Sequence, residues 1–155
     1  MAHDHEYETH VVWDGTTAQG YRAYSRDHVA LAPPATQEIA LSADPAFRGE
    51  AARTNPEQLL IMAASSCLLL SFLAVAARAG VDVRGYTDEA QGLMPADAHP
   101  QRLTRITLRP HVIAAGPTTA DDLLQLLHEA HGECYIANSL TSESVLEPTV
   151  EIVSA

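Results

Sequence analysis

Residues 58–77 (QLLIMAASSCLLLSFLAVAA) run without a single charged side chain. No other stretch restricts the fold so tightly. Twenty such residues are long enough to cross hydrocarbon as a helix. Three serines, a cysteine and many alanines weaken the drive to insert, and no cluster of Lys or Arg flanks the run to orient it. The other solution is a central helix of a water-soluble fold, covered by its own domain and by a partner subunit. The start of that helix is written into Asn55-Pro56-Glu57. Asn suits the N-cap, Pro the first helical position, and Glu the positive end of the helix dipole. Gly80 ends it, so the expected helix covers residues 55–79.

The pattern on either side is that of short strands. Residues 6–13 and 20–32 read as a hairpin closed by Pro33-Pro34, and 37–41 as a short third strand. Residues 42–54 form a polar loop. Beyond the helix, 81–94 and 102–114 read as two long strands joined through 95–100. A second helix opens at Thr118–Thr119 or Asp121 with an apolar stripe of Leu123, Leu124, Leu126 and Leu127, and frays near Gly132. A short helix follows Cys134, and 148–153 is the last strand. The order ββ(β)αββααβ, with strands in hairpin pairs, gives an α+β fold. At 155 residues with no compositional break, the chain reads as one domain, 1–155.

Charge narrows the function. Twenty acidic and nine basic residues leave a formal net charge of −11. Nucleic acid needs a basic footprint and anionic membranes need basic patches, so neither is an expected partner. The opening residues are charged and lack the apolar core of a signal peptide. The expected location is therefore cytoplasmic, where a cysteine pair is more often transient than a permanent staple.

Chemistry centres on the two cysteines, Cys67 in the apolar run and Cys134 in His131-Gly-Glu-Cys-Tyr-Ile-Ala-Asn-Ser139. A cysteine in mid-helix is ordinarily a small core hydrophobe. Two of them, each beside small or polar residues, allow reversible thiol chemistry. Glu57 stands ten residues before Cys67, about 15 Å along one helix axis, too far for contact within that helix. Two antiparallel copies of the helix would bring Glu57 of one chain near Cys67 of the other. The plainer reading is a helix-capping Glu57 and an inert Cys67. Arg22, Arg26, Arg48 and Arg53 are the cations that could face a thiolate, though each alone reads as a surface charge. His128, His131 and Cys134 recur every three residues and suggest a metal, but they lack a fourth ligand and any paired motif. A Cys–His hydrolase has no local signature, and phosphate-binding glycine loops are absent.

Taken together, Thr54-Asn-Pro-Glu-Gln-Leu-Leu60, Ala63-Ala-Ser-Ser-Cys67 and the segment around Cys134 resemble the OsmC/Ohr family of osmotically inducible and organic hydroperoxide resistance proteins. Tyr21–His28 and Asp44–Glu50 resemble its OsmC-like branch. The resemblance implies an intertwined α+β homodimer with two central helices and sites at the interface. It implies a thiol peroxidase acting on organic hydroperoxides, with no cofactor. Cys67 matches the peroxidatic cysteine, Cys134 the resolving cysteine, and Glu57 the glutamate that holds a catalytic arginine. Arg48 is the expected arginine and Arg26 the reserve. A lipoyl-type dithiol is the implied reductant. Leu68 stands where related sequences often carry histidine. The competing reading keeps the fold and loses the chemistry: a stress-related protein that binds a small molecule.

Overall fold

The computed structural model describes residues 3–154; Met1 and Ala2, part of the charged opening arm, and Ala155 lie outside the described residues. The chain divides into two units, one ending at Leu59 and the other running from Leu60.

In the first unit, β1 (His10–Val12), β2 (His28–Leu31) and β3 (Ile39–Leu41) form an antiparallel sheet in the order β1-β2-β3. The hairpin is present, but its strands are shorter than 6–13 and 20–32. Residues 20–27 spend their hydrogen bonds locally instead of on the ladder. The Arg26 guanidinium donates to the carbonyls of Tyr21 and Tyr24, and the Trp13 indole donates to Ser25 O at 2.8 Å. The alternation that suggested a strand is a turn wrapped on Arg26. After β3 the loop folds tightly on itself, with a single 3-10 turn at Pro45–Phe47.

The helix boundary falls where the sequence sets it. α1 spans Pro56–Arg78. Asn55 Oδ1 accepts the Gln58 N–H at 2.8 Å, and Gln58 Oε1 accepts the Asn55 N–H at 3.0 Å. This reciprocal cap satisfies two of the three orphan donors of the first turn, Pro56 having no N–H to satisfy. Gly80 follows the last turn at φ 72°, a left-handed position suited to glycine.

The second unit builds its core on one stripe of α1. Ala64, Leu68, Phe72, Val75 and Ala76 are buried against Ile106, Leu108, Val112, Leu127 and Ala130. The helix is long and apolar enough to cross a membrane, yet this stripe packs on sheet and helix. The chain's own elements leave the rest of the helix open: Met62, Leu70 and Leu73 stay exposed, Leu70 to 64%.

The strand pattern also differs from the expected two long strands. Residues 81–94 split into β4 (Asp82–Asp88) and β5 (Gln91–Leu93), and 102–114 into β6 (Arg105–Leu108) and β7 (Pro110–Ala115). The break has a cause. Asp88 Oδ1 accepts the Arg109 N–H at 2.7 Å, a side chain replacing a ladder partner, and Pro110 then offers no N–H. The chain passes between two three-stranded sheets, β4-β7-β9 and β5-β6-β8. α2 (Ala120–Gly132) opens on a capping box between Thr119 and Asp122, and α3 (Tyr135–Asn138) follows Cys134. β8 (Glu143–Leu146) was not expected; it runs parallel to β6, and β9 (Thr149–Val153) runs parallel to β7. The fold is α+β with mixed sheets, in the order βββαββββααββ.

Tyr86 on β4 packs beside Phe72, their ring centroids 6.0 Å apart, and its buried hydroxyl has no hydrogen-bond partner among the described residues. Burial, then the charge of Asp88, then Cys134 push its pKa upward. A buried unpaired hydroxyl is costly. Tyr86→Phe is therefore expected to raise the unfolding free energy by about 1 kcal/mol, read from denaturant melts; a loss of stability would mean that the hydroxyl has a partner.

Candidate active site

Cys67 sits halfway along α1 and is only partly exposed, while Cys134 is fully buried at the turn between α2 and α3. Residues far apart in sequence thus arrive side by side. Cys134 is near enough to Cys67 for each thiol to feel the other's ionisation, and its Sγ is 4.0 Å from Ala64 O, one turn before Cys67 on the same helix. Both are free thiols.

The surroundings of Cys134 pull in two directions. Burial, the largest effect, pushes its thiol pKa up; the Ala137 N–H opposes this, the hydrogen bond and charge of Cys67 add to the rise, and the Ile136 N–H again opposes it. Two adjacent sulfurs resist carrying two negative charges together. The N–H groups at the start of α3 give Cys134 partial compensation when it does ionise. The turn holding it is tied by the Asn138 side-chain amide, which donates to Gly132 O at 3.0 Å, and by the Asn138 N–H, which donates to Cys134 O at 3.0 Å.

Cys67 opens onto a cleft of about 280 Å³ lined by Leu70, Ser71, Ala74, Arg78, Glu133 and Tyr135. The helical members follow Cys67 by 3, 4, 7 and 11 positions, which puts them on one face of α1. Leu70 and Ala74 give the helical wall of the cleft apolar surface, and Ser71, one turn beyond Cys67, adds a hydroxyl. Arg78 and Glu133 pair at 3.3 Å. Sequence reasoning did not single out Arg78, Glu133 or Tyr135; the i+11 spacing from Cys67 was the available signal for Arg78.

The other two expected site residues belong to the first unit. Glu57 lies in the first turn of α1, partly buried. Arg48 ends the 3-10 turn at φ 70°, in the left-handed region that side chains other than glycine seldom occupy. The loop leaves it little choice. A Cβ on Gly49 would fall 1.6 Å from Ala43 O, so the backbones touch and only glycine fits. Gly49 N–H donates to Asp44 O at 3.1 Å, and Glu50 N–H donates to the buried Ser42 Oγ at 3.0 Å. Arg48 Cζ stands 6.0 Å from the Tyr21 ring centroid. Among the described residues its guanidinium has no hydrogen-bond or ion-pair partner. Arg26 is different: besides its two carbonyls it stacks on Tyr24, 3.7 Å from that centroid. Arg53 pairs with Asp27 at 3.2 Å.

The histidines turn elsewhere. His131 Nε2 is 2.8 Å from Ser144 Oγ, so it shares a hydrogen bond with β8. Among the described residues no group of His, Cys, Asp or Glu is arranged to hold a metal ion. Burial, and secondarily His128, lowers the His131 pKa from its usual 6.5. The unfolded chain then binds a proton that the folded chain refuses in the window below 6.5. Stability is expected to fall as pH drops through that window, and His131→Asn to flatten the decline in thermal melts at graded pH. An unchanged slope would place the titration on another group.

Comparison with known proteins matches the sequence to a family. The family described as OsmC-like protein matches residues 49–149, from the glycine behind Arg48 through both cysteines. An OsmC-like protein of unknown function from Vibrio cholerae, VCA0330, is 31% identical, with 97% of this chain and 100% of that one covered at a TM-score of 0.83. An organic hydroperoxide resistance protein from Elizabethkingia anophelis is 15% identical, with 99% and 100% covered at a TM-score of 0.72, a likeness of fold. YmaD of Bacillus subtilis, an uncharacterized protein, is 22% identical over 96% of this chain and 97% of its own length. With its sequence matched across both cysteine segments, the chain belongs to the OsmC-like family.

Proposed function

We propose that the protein is a thiol-dependent peroxidase that reduces organic hydroperoxides to alcohols. The observation that carries this reading is the meeting of Cys67, partly exposed on a cleft, with Cys134, buried beside it. The Cys67 thiolate attacks the distal peroxide oxygen. The O–O bond breaks, the alkoxide leaves and takes a proton as the alcohol, and Cys67 becomes a sulfenic acid. The Cys134 sulfur then attacks the Cys67 sulfur, expelling water and forming the disulfide. A dithiol of lipoyl type restores both thiols by exchange.

Arg48 supplies the positive charge opposite the reacting sulfur, and Glu57 steadies it. Two features support Arg48 over Arg26: its guanidinium is uncommitted, and its backbone is held at a strained φ by a loop closed on Gly49. Strain of this kind clusters at functional sites. The acting form is a homodimer. The exposed apolar residues Met62, Leu70 and Leu73 on α1 support it, as does the helix distance that keeps Glu57 from Cys67 within one chain. The reaction belongs in the cytoplasm, where reducing thiols recycle the pair. Proteins named for organic hydroperoxide resistance share the fold, which supports the substrate class.

Leu70 and Ala74 beside Cys67 favour an organic peroxide over hydrogen peroxide. Steady-state rates with a dithiol reductant test this. The expected result is a higher kcat/KM for cumene hydroperoxide; equal or reversed efficiencies would reject the reading.

A further inference from the structure

We propose that Asn138 is a positioning residue for the resolving step. By bonding on both sides of Cys134 it holds that cysteine against α1, so that a sulfenic acid at Cys67 closes to a disulfide before a second peroxide reaches it. This rests on the peroxidase reading and adds a residue to it. The Asn138 side-chain amide donates to Gly132 O at 3.0 Å, two residues before the cysteine, and the Asn138 N–H donates to Cys134 O at 3.0 Å. Between these two bonds the chain passes from α2 to α3, with Cys134 extended at φ −69° and ψ 107°. The remaining local tie, from the Cys134 N–H to His131 O, is longer at 3.3 Å. Asn138 itself is exposed and stands outside the lining of the Cys67 cleft, so it acts through the turn.

Gly132 is the weak point that this clamp closes. It is the last residue of α2. Its φ is not positive, and a Cβ there would meet nothing within 4 Å. Neither a left-handed turn nor a close approach therefore requires glycine. What glycine adds is backbone freedom, which alanine would reduce. A segment hinged there swings unless its carbonyl is tied. Cys134 is fully buried, its Sγ 4.0 Å from Ala64 O, so a small swing misplaces a sulfur that has little room to search. Position matters because two reactions compete. The Cys134 sulfur displaces the hydroxyl of the Cys67 sulfenic acid, which leaves as water; a second hydroperoxide instead carries that sulfur to sulfinic acid. The first reaction is intramolecular and depends on orientation. The second depends on peroxide concentration.

The test reads the ratio of disulfide to sulfinic product at Cys67 after graded cumene hydroperoxide, by intact mass and peptide mapping. Asn138→Ala removes the side-chain donor without adding charge. It is expected to lower the ratio about fivefold, the size of one hydrogen bond, while the first oxidation of Cys67 keeps its rate. Adding Gly132→Ala is expected to restore most of the ratio, which a general loss of packing would not do. A ratio unmoved by Asn138→Ala, a first oxidation slowed equally, or no restoration by Gly132→Ala overturns the proposal. Glutathione redox buffers separate the two readings, because oxidised glutathione closes the Cys67–Cys134 pair by exchange without peroxide. A closure equilibrium about fivefold weaker in Asn138→Ala supports the positioning even if no peroxide is turned over; an equal one removes it whatever the peroxidase assays show.

Discussion

Cys67→Ser is expected to lower turnover of organic hydroperoxides about a thousandfold or more, because a hydroxyl at neutral pH does not replace a thiolate as nucleophile. The substitution is nearly isosteric at a partly exposed position, so the fold should survive it. Cys134→Ser should behave differently. The first peroxide is still reduced at Cys67, but the sulfenic acid has no partner and climbs to sulfinic acid with excess peroxide. Rapid-mixing kinetics followed by mass spectrometry distinguish the two variants. Wild-type peroxide consumption by Cys67→Ser would move the chemistry to another residue.

The second large effect concerns Arg48. A side chain at φ 70° costs about 1 kcal/mol that glycine does not pay. Arg48→Gly should therefore leave the melting temperature level or higher. The same change should cut kcat/KM about a hundredfold, the scale for removing one preorganised donor from a reacting centre. A gain in stability with loss of rate is the signature of strain kept for function. Arg26→Gln should do the reverse. It releases two carbonyls and a stacked ring, so the turn at 20–27 loosens and stability falls. If Arg26→Gln stops catalysis while Arg48→Gly leaves it intact, the assignment of the arginine is reversed.

Local chemistry accounts for what was legible beforehand. Asn55, Pro56 and Gln58 fix the start of α1 with groups that are neighbours in sequence, and Gly80 ends it. The α+β pattern and the third strand followed from periodicity and turn residues. The breaks within the later strands did not, because they depend on Asp88 reaching Arg109 across the fold. β8 was hidden for a similar reason: its partner is β6, and its Glu143 pairs with Arg105 at 2.8 Å, a contact between distant segments. The tyrosines near Arg26 imitated strand alternation while forming a turn. At the site, the cysteines and Glu57 stood out in the sequence, whereas the approach of Cys134 to Cys67 is tertiary and spacing alone left it open. The commitment of Arg26 to carbonyls, the closure of the Arg48 loop on Gly49, and the place of Arg78 in the cleft beside Cys67 required coordinates.

Intact-mass measurement after one equivalent of cumene hydroperoxide tests the central claim most directly. The expected product has lost two hydrogens per chain, and peptide mapping joins Cys67 to Cys134. An unchanged mass, or added oxygen at other residues with both thiols still free, would contradict it.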